Sequence, residues 1–222
     1  MIVLGLTGSI AMGKTTIGTM MKTMNIPVHE SDHIVHKLLQ RSSIARPAIA
    51  SAFPFFEHPE IYDKKTKDLK RKEFGDLIFN NDAHKATLES ILHPLVQKSQ
   101  NEFIRAEALK GRDIVCLDIP LLFETGAESR VDYTIVVSAP YFIQRERVLS
   151  RPKMSEEKFL AILEQQMPDA EKCARADYVI KTGLGRAHAM KSLRIALLDI
   201  RIKAGYIEDP DAEELQQENK IK

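Results

Sequence analysis

The sequence predicts an α/β protein: a three-layer α/β/α core on a five-stranded parallel sheet, with a helical insertion and a lid. Three observations carry that reading. Short apolar runs alternate with stretches of helical periodicity along most of the 222 residues, as in a parallel sheet covered on both faces. The stretch GLTGSIAMGKTT (5–16) puts Gly8, four residues, then Gly13, Lys14 and Thr15 between the first apolar run and the first helix. That is the spacing and the context of a phosphate-binding loop. Residues 41–112 break the alternation with turn signals, a basic run and then helical periodicity, and predict an insertion with no strand of its own.

The elements follow in order. IVLGL (2–6) is a buried strand, and from Lys14 to about Met24 the apolar residues Ile17, Met20, Met21 and Met24 recur at helical spacing. IPVHE (26–30) is the second strand, and Ser31 is suited to cap a helix reaching about Gln40. Inside the insertion Leu77, Ile78, Leu88, Ile91, Leu92, Leu95 and Val96 predict a small helical core. Pro94 fits the first turn of a long helix that Gly111 ends. DIVCLDIP (113–120), DYTIVVSA (132–139) and DYVIKT (177–182) complete the sheet. Helices are expected from Tyr141, over 155–166 and from Gly185 to Ala204. The nucleotide core thus takes 1–40, 113–146 and 173–205, the insertion 41–112, the lid 147–172 and a polar tail 206–222.

Composition narrows the function classes. With 44% hydrophobic and 28% charged residues the chain can bury a full core, and a net charge of +1 argues against non-specific binding to nucleic acid or acidic membranes. Cys116 and Cys173 have no metal-ligand or redox spacing, and no segment approaches a membrane span. The expectation is a soluble cytoplasmic protein, monomeric or weakly self-associating, whose anionic ligands meet a local basic cluster.

In a loop of this kind the backbone N–H groups from Ala11 to Thr16 meet the β-phosphate at a helix N-terminus. Gly8, Met12 and Gly13 shape the turn, Lys14 sets a charge on the β- and γ-phosphates, and the Thr15 hydroxyl is placed for Mg²⁺. Ser9 and Ala11 are compatible with the loop if their φ angles are negative, because a Cβ opposes positive φ. The fold class is therefore a P-loop NTPase. No Asp is followed by Gly three residues later, and neither an NKxD site nor an LSGGQ signature occurs, which argues against a GTPase switch or a transport ATPase. A small-molecule kinase fits the size, the insertion and the arginine-rich helix before residue 151. A nucleoside or nucleotide kinase, or a regulatory ATPase, stays open on these features alone.

GLTGSIAMGKTT, ESDHIVHKLL (30–39), LHPLV (92–96), DIPLLFE (118–124), QRERVLSR (144–151) and ADYVI (176–180) occur in the order seen in dephospho-CoA kinases, and over residues 2–200 the chain resembles that family. The resemblance implies transfer of the γ-phosphate of ATP, with Mg²⁺, to the ribose 3′-hydroxyl of dephospho-CoA. The chain departs from the family pattern at Ser9, Ala11, Glu30, Lys70 and Thr182, where Gly, Gly, Asp, Asp and Asn are usual. Thr182 lies near the expected adenine position.

Each remaining candidate has a functional and a structural reading. Asp32 follows the second strand at the carboxyl edge of the sheet, where such folds bind ligands. The resemblance makes it the acceptor-side aspartate; a carboxylate stabilised by a helix N-terminus is the other reading. His36 matches a family histidine of the acceptor pocket. His29, His33 and His36 with Glu30 and Asp32 lack the fixed tetrahedral set of a zinc site. Asp118 ends a strand, suited equally to Mg²⁺ or to an N–H network. Pro120, Leu121, Leu122 and Phe123 form either an apolar acceptor wall or core. Arg71 is a candidate for the acceptor's phosphates or a solvated basic run. Arg147 and Arg151, one turn apart, would close over the triphosphate, Arg147 stabilising the transferring group; a solvated helix end is the alternative. Lys172 is a weaker lid candidate.

Overall fold

The computed structural model describes residues 1–208, so the expected polar tail lies outside the described residues from position 209 onward. Two compact units divide the chain, one of Met1–Val28 with the chain from Glu107 on, the other His29–Ala106.

The first unit is built on parallel strands β1 (Ile2–Thr7), β3 (Ile114–Asp118), β4 (Tyr133–Ser138) and β5 (Tyr178–Lys181), with β2 (Val28–Glu30) beginning at its last residue. The sheet order is β2-β3-β1-β4-β5, with Leu4 opposite Cys116 and Tyr133, and Val136 opposite Val179. At the β3 edge the Cys116 N–H donates to the Pro27 carbonyl at 2.9 Å. Both faces of the central strands are apolar, as parallel pairing with helical crossovers requires. Leu4, Leu6, Cys116, Ile135, Val137 and Ile180 pack with α1 (Lys14–Thr23) and α9 (Arg186–Lys203). On the chain after β4 come α6 (Tyr141–Leu149), α7 (Glu156–Glu164) and α8 (Asp169–Arg175), with Val148 and Phe159 fully buried. Ser155 caps α7, as its hydroxyl accepts from the Lys158 N–H. Helix α8 is an addition to the expected elements: seven residues behind Pro168 are too short a run for helical periodicity to register.

The second unit holds α2 (Ser31–Leu38), α3 (Arg46–Ala52), α4 (Arg71–Phe79) and most of α5 (Asp82–Leu109). It begins at His29 rather than residue 41, so α2 belongs with the insertion's compact body. Its core centres on Ile49, Phe53, Ile61, Tyr62, Phe74 and Leu92, and the expected residues Leu77, Ile78, Leu88, Ile91, Leu95 and Val96 pack partly buried around them. The Tyr62 hydroxyl donates to the Phe53 carbonyl at 2.6 Å, and Phe74 meets the Phe53 ring edge-on at 5.3 Å.

Two helix starts differ from expectation. Pro94 lies inside α5, which begins twelve residues earlier at Asp82. An internal proline costs about 3 kcal/mol; the apolar stripe of Leu88, Ile91, Leu92, Leu95 and Val96, packed on both sides of it, offsets that. The end is as expected: Gly111 takes φ 72°, and the Arg112 N–H returns to the Glu107 carbonyl. Ser31 is the first helical residue of α2, not its cap, because its hydroxyl accepts from Gln100 Nε2 at 2.9 Å.

Candidate active site

The loop between β1 and α1 owes its shape to two glycines. A Cβ on Gly8 would stand 2.6 Å from the Val137 carbonyl oxygen, so no larger residue passes β4 there. Gly13 has φ 100°, and a Cβ on it would press the Thr182 side chain at 3.2 Å. Between them, Ala11 has φ 58°, which corrects the expectation of a negative angle. The left-handed conformation costs a residue with a Cβ about 1–2 kcal/mol, and the loop's other contacts hold Ala11 there. Ser9 keeps the expected conformation and is not among the described residues with positive φ.

Not every loop amide faces a ligand. The Met12 N–H donates to Ser9 O and the Thr16 N–H to Gly13 O. Those of Gly13, Lys14 and Thr15, at the start of α1, have no carbonyl one turn back within the helix, the arrangement in which helix N-termini meet anions. Met12 is itself an anchor: it is buried, and its sulfur accepts from the Ala139 N–H.

Lys14 Nζ forms an ion pair with Asp118 at the end of β3. Both are mostly shielded from solvent, so an oppositely charged pair sits at the mouth of the loop. The following segment is fixed to β1: Thr7 Oγ1 donates to the Pro120 carbonyl at 2.9 Å, and the Ile119 N–H to Leu6 O. Pro120 and Leu121 are partly exposed. Leu122 and Phe123 are core, a correction to the expected acceptor wall: Leu122 is fully buried, and Phe123 lies beneath the Arg175 guanidinium at 4.9 Å. They back the wall rather than face a ligand.

Arg147 reaches the loop from α6. Its Nη1 donates to Thr182 Oγ1 at 3.0 Å and lies 3.4 Å from Ala11 O; Nη2 donates to Thr182 O at 3.1 Å. Thr182 Oγ1 in turn donates to Met12 O at 2.6 Å. The guanidinium is therefore engaged by carbonyls of the loop and of β5's end. Arg151 lies beyond the C-terminus of α6 and is exposed, so the two arginines do not share a helical face as expected. Arg145 points to solvent and pairs with Glu156 at 2.6 Å. Lys172 is completely buried and paired with Glu124 at 2.8 Å, which corrects its candidacy as a ligand-facing lid residue. A cavity of about 850 Å³ opens beside the loop, lined largely by apolar side chains including Met12, Pro140, Ile143 and Leu184.

In the second unit Asp32 occupies the exposed first turn of α2. His36, one turn on, lies 3.0 Å through Nδ1 from Arg71 Nη1. A guanidinium has no acceptor, so His36 Nδ1 accepts and its proton resides on Nε2. The structure thus joins two of the predicted acceptor residues. His29 turns elsewhere, its Nε2 3.0 Å from the Ser99 hydroxyl and its ring against Phe103; burial holds its pKa below the ordinary value. Both cysteines are free thiols pushed upward in pKa by burial, which argues against either as a nucleophile.

Sequence reasoning missed Gln144 and Gln166, which bind the loop, and Glu124, which anchors Lys172. Gln144 and Glu124 lie inside the blocks QRERVLSR and DIPLLFE, so position in those blocks was the available signal.

Residues 2–185 match the family model for dephospho-CoA kinase. The chain is 49% identical over 185 residues to the dephospho-CoA kinase of Agrobacterium fabrum, covering 83% of this chain and 91% of that one. It is 42% identical over 205 residues to that of Mesorhizobium japonicum, covering 92% and 100%. The solved dephospho-CoA kinase of Campylobacter jejuni superposes with a TM-score of 0.64 at 28% identity, covering 92% of this chain and 98% of that one. With the P-loop and its lysine in place, the chain belongs to the dephospho-CoA kinase family of ATP-dependent phosphotransferases.

Proposed function

We propose that the chain transfers the γ-phosphoryl group of ATP to the ribose 3′-hydroxyl of dephospho-CoA, giving coenzyme A and ADP, the final step of coenzyme A biosynthesis. The observation that carries this reading is the loop itself: Gly13, Lys14 and Thr15 at the start of α1, with Lys14 held by Asp118 at its mouth, in a chain of the dephospho-CoA kinase family. Phosphoryl transfer asks for positioning and charge rather than covalent chemistry, and each group present serves one of those ends.

Lys14 exchanges Asp118 for the β- and γ-phosphates when ATP arrives. Asp118 and the exposed Thr15 hydroxyl offer the hard oxygen donors that would hold Mg²⁺, which would supply positive charge against the triphosphate when bound. Arg147 keeps a positive charge on the loop backbone, and Arg151, exposed beyond the end of α6, is the candidate for solvent-side contact with the triphosphate. On the acceptor side Asp32 orients the 3′-hydroxyl, and the Arg71–His36 pair meets the acceptor's phosphates. Pro120 and Leu121 supply apolar contact. Among the described residues no helix is long and apolar enough to cross a membrane. A cytoplasmic enzyme, monomeric or weakly self-associating, fits the free thiols and near-neutral charge.

ADP release from the wild type should require dephospho-CoA. Arg71→Ala should raise the KM for dephospho-CoA about tenfold, as loss of a hydrogen bond to a charged group does, and leave the KM for ATP within twofold. Equal rises in both, or ADP release independent of the acceptor, would contradict the assignment.

A further inference from the structure

Residue Ile10 of the phosphate loop has both of its backbone polar groups held by glutamines from two different elements. Its N–H donates to Gln166 Oε1 at 3.0 Å, and its carbonyl accepts from Gln144 Nε2 at 2.9 Å. Gln144 is on α6 and buried; Gln166 follows the C-terminus of α7, within the segment read from sequence as the lid. The two amides are used with opposite polarity, one accepting and one donating.

The mount under Gln166 is stiff. The next N–H, that of Met167, donates to Glu124 Oε1 at 2.9 Å, and the same carboxylate oxygen lies 2.8 Å from the fully buried Lys172 ammonium. Glu124 closes the DIPLLFE block after β3. Residues 166 and 167 therefore bind the phosphate loop on one side and the end of the segment after β3 on the other. The residue after Ile10 is Ala11, in its left-handed conformation. A strained residue persists where its surroundings over-determine it, and the clamped backbone of Ile10 stands immediately before it.

We propose that Gln166 is a positioning residue for phosphoryl transfer. Its side-chain oxygen, working against Gln144, fixes the two peptide groups that flank Ile10 and so holds the loop in its phosphate-binding conformation, and it makes that conformation depend on the seating of the α7–α8 segment. When the clamp is broken the competent loop is only fractionally populated, and the apparent affinity for ATP falls by that fraction. The kinetic part of this proposal rests on the kinase reading above; the loop conformation itself does not.

The oxygen is the working atom, so two near-isosteric variants separate its role from space filling. Gln166→Met removes the acceptor, whereas Gln166→Glu retains it. Amide hydrogen exchange at Ile10, read in the full chain without ligand, is expected to quicken about tenfold in Gln166→Met and to stay within twofold of wild type in Gln166→Glu. In steady-state kinetics Gln166→Met should raise the KM for ATP about three- to tenfold, the range of one neutral hydrogen bond, with the KM for dephospho-CoA within twofold. Unchanged Ile10 exchange in Gln166→Met, or exchange in Gln166→Glu as fast as in Gln166→Met, would overturn the proposal. A wild type that leaves dephospho-CoA untouched would instead overturn the kinase reading, and the exchange result would still decide the clamp.

Discussion

Lys14→Ala is expected to lower kcat/KM by at least about 10²–10³-fold, the loss that follows removal of one preorganised group at a developing charge. Lys14 is a side-chain cation in direct contact with the strand-end carboxylate at the loop mouth, and in the proposed function it carries charge to the phosphates. The structure adds a complication that sequence position does not reveal. Truncation removes the ion pair to Asp118, itself only 7% exposed, and loss of one side of a shielded ion pair destabilises the fold. Lys14→Gln separates the two effects: the amide still donates to Asp118 but brings no charge to ATP. Both variants should lose turnover, while Lys14→Gln melts closer to wild type than Lys14→Ala. Steady-state kinetics alongside thermal melting checks this, and a Lys14→Gln enzyme with wild-type turnover would remove the lysine's charge from the mechanism.

The second large effect is expected at Asp32. Its exposed place in the first turn of α2 leaves the carboxylate available to an acceptor hydroxyl. A loose transition state makes aiming that hydroxyl worth more than early removal of its proton. Asp32→Asn keeps size and one acceptor oxygen but no charge, so kcat should fall about 10²–10⁴-fold, the usual span for a general acid–base group. The KM for ATP should change little, because the proposed function assigns ATP to the loop amides and Lys14. Kinetics with each substrate varied in turn decides the matter: a kcat within threefold of wild type would exclude Asp32 from the chemistry.

Much of the sheet was legible because its signals are local. β1, β3 and β4 are continuous apolar runs, and the Gly8-to-Thr15 spacing fixes a strand, a turn and a helix start at once. Failures arose where distant contacts decide. Ser31 looks like a cap until Gln100, far along the chain, binds its hydroxyl. Pro94 looks like a helix start until the packed stripe on both sides of it outweighs its missing N–H. Ala11 adopts positive φ among loop contacts from α6 and the chain after α7, which no local propensity encodes.

The candidate site divides the same way. The loop between β1 and α1 could be placed from spacing because its glycines and the start of α1 are fixed locally. Arg147 could be found but not aimed, since its partner Thr182 is 35 residues away. Leu122 and Phe123 were indistinguishable from a ligand wall until burial placed them in the core. Gln144 and Gln166 were passed over because glutamines on amphipathic helices are ordinarily solvated, and only the fold brings them to Ile10.

The central claim is most directly tested by the product that the full chain forms from ATP and dephospho-CoA, identified by mass spectrometry with the phosphorylated position mapped. The account predicts one added phosphoryl group, located on the ribose 3′-hydroxyl, with one ADP released per coenzyme A formed. Unmodified dephospho-CoA beside ATP hydrolysis, or a phosphoryl group at any other position, would contradict it.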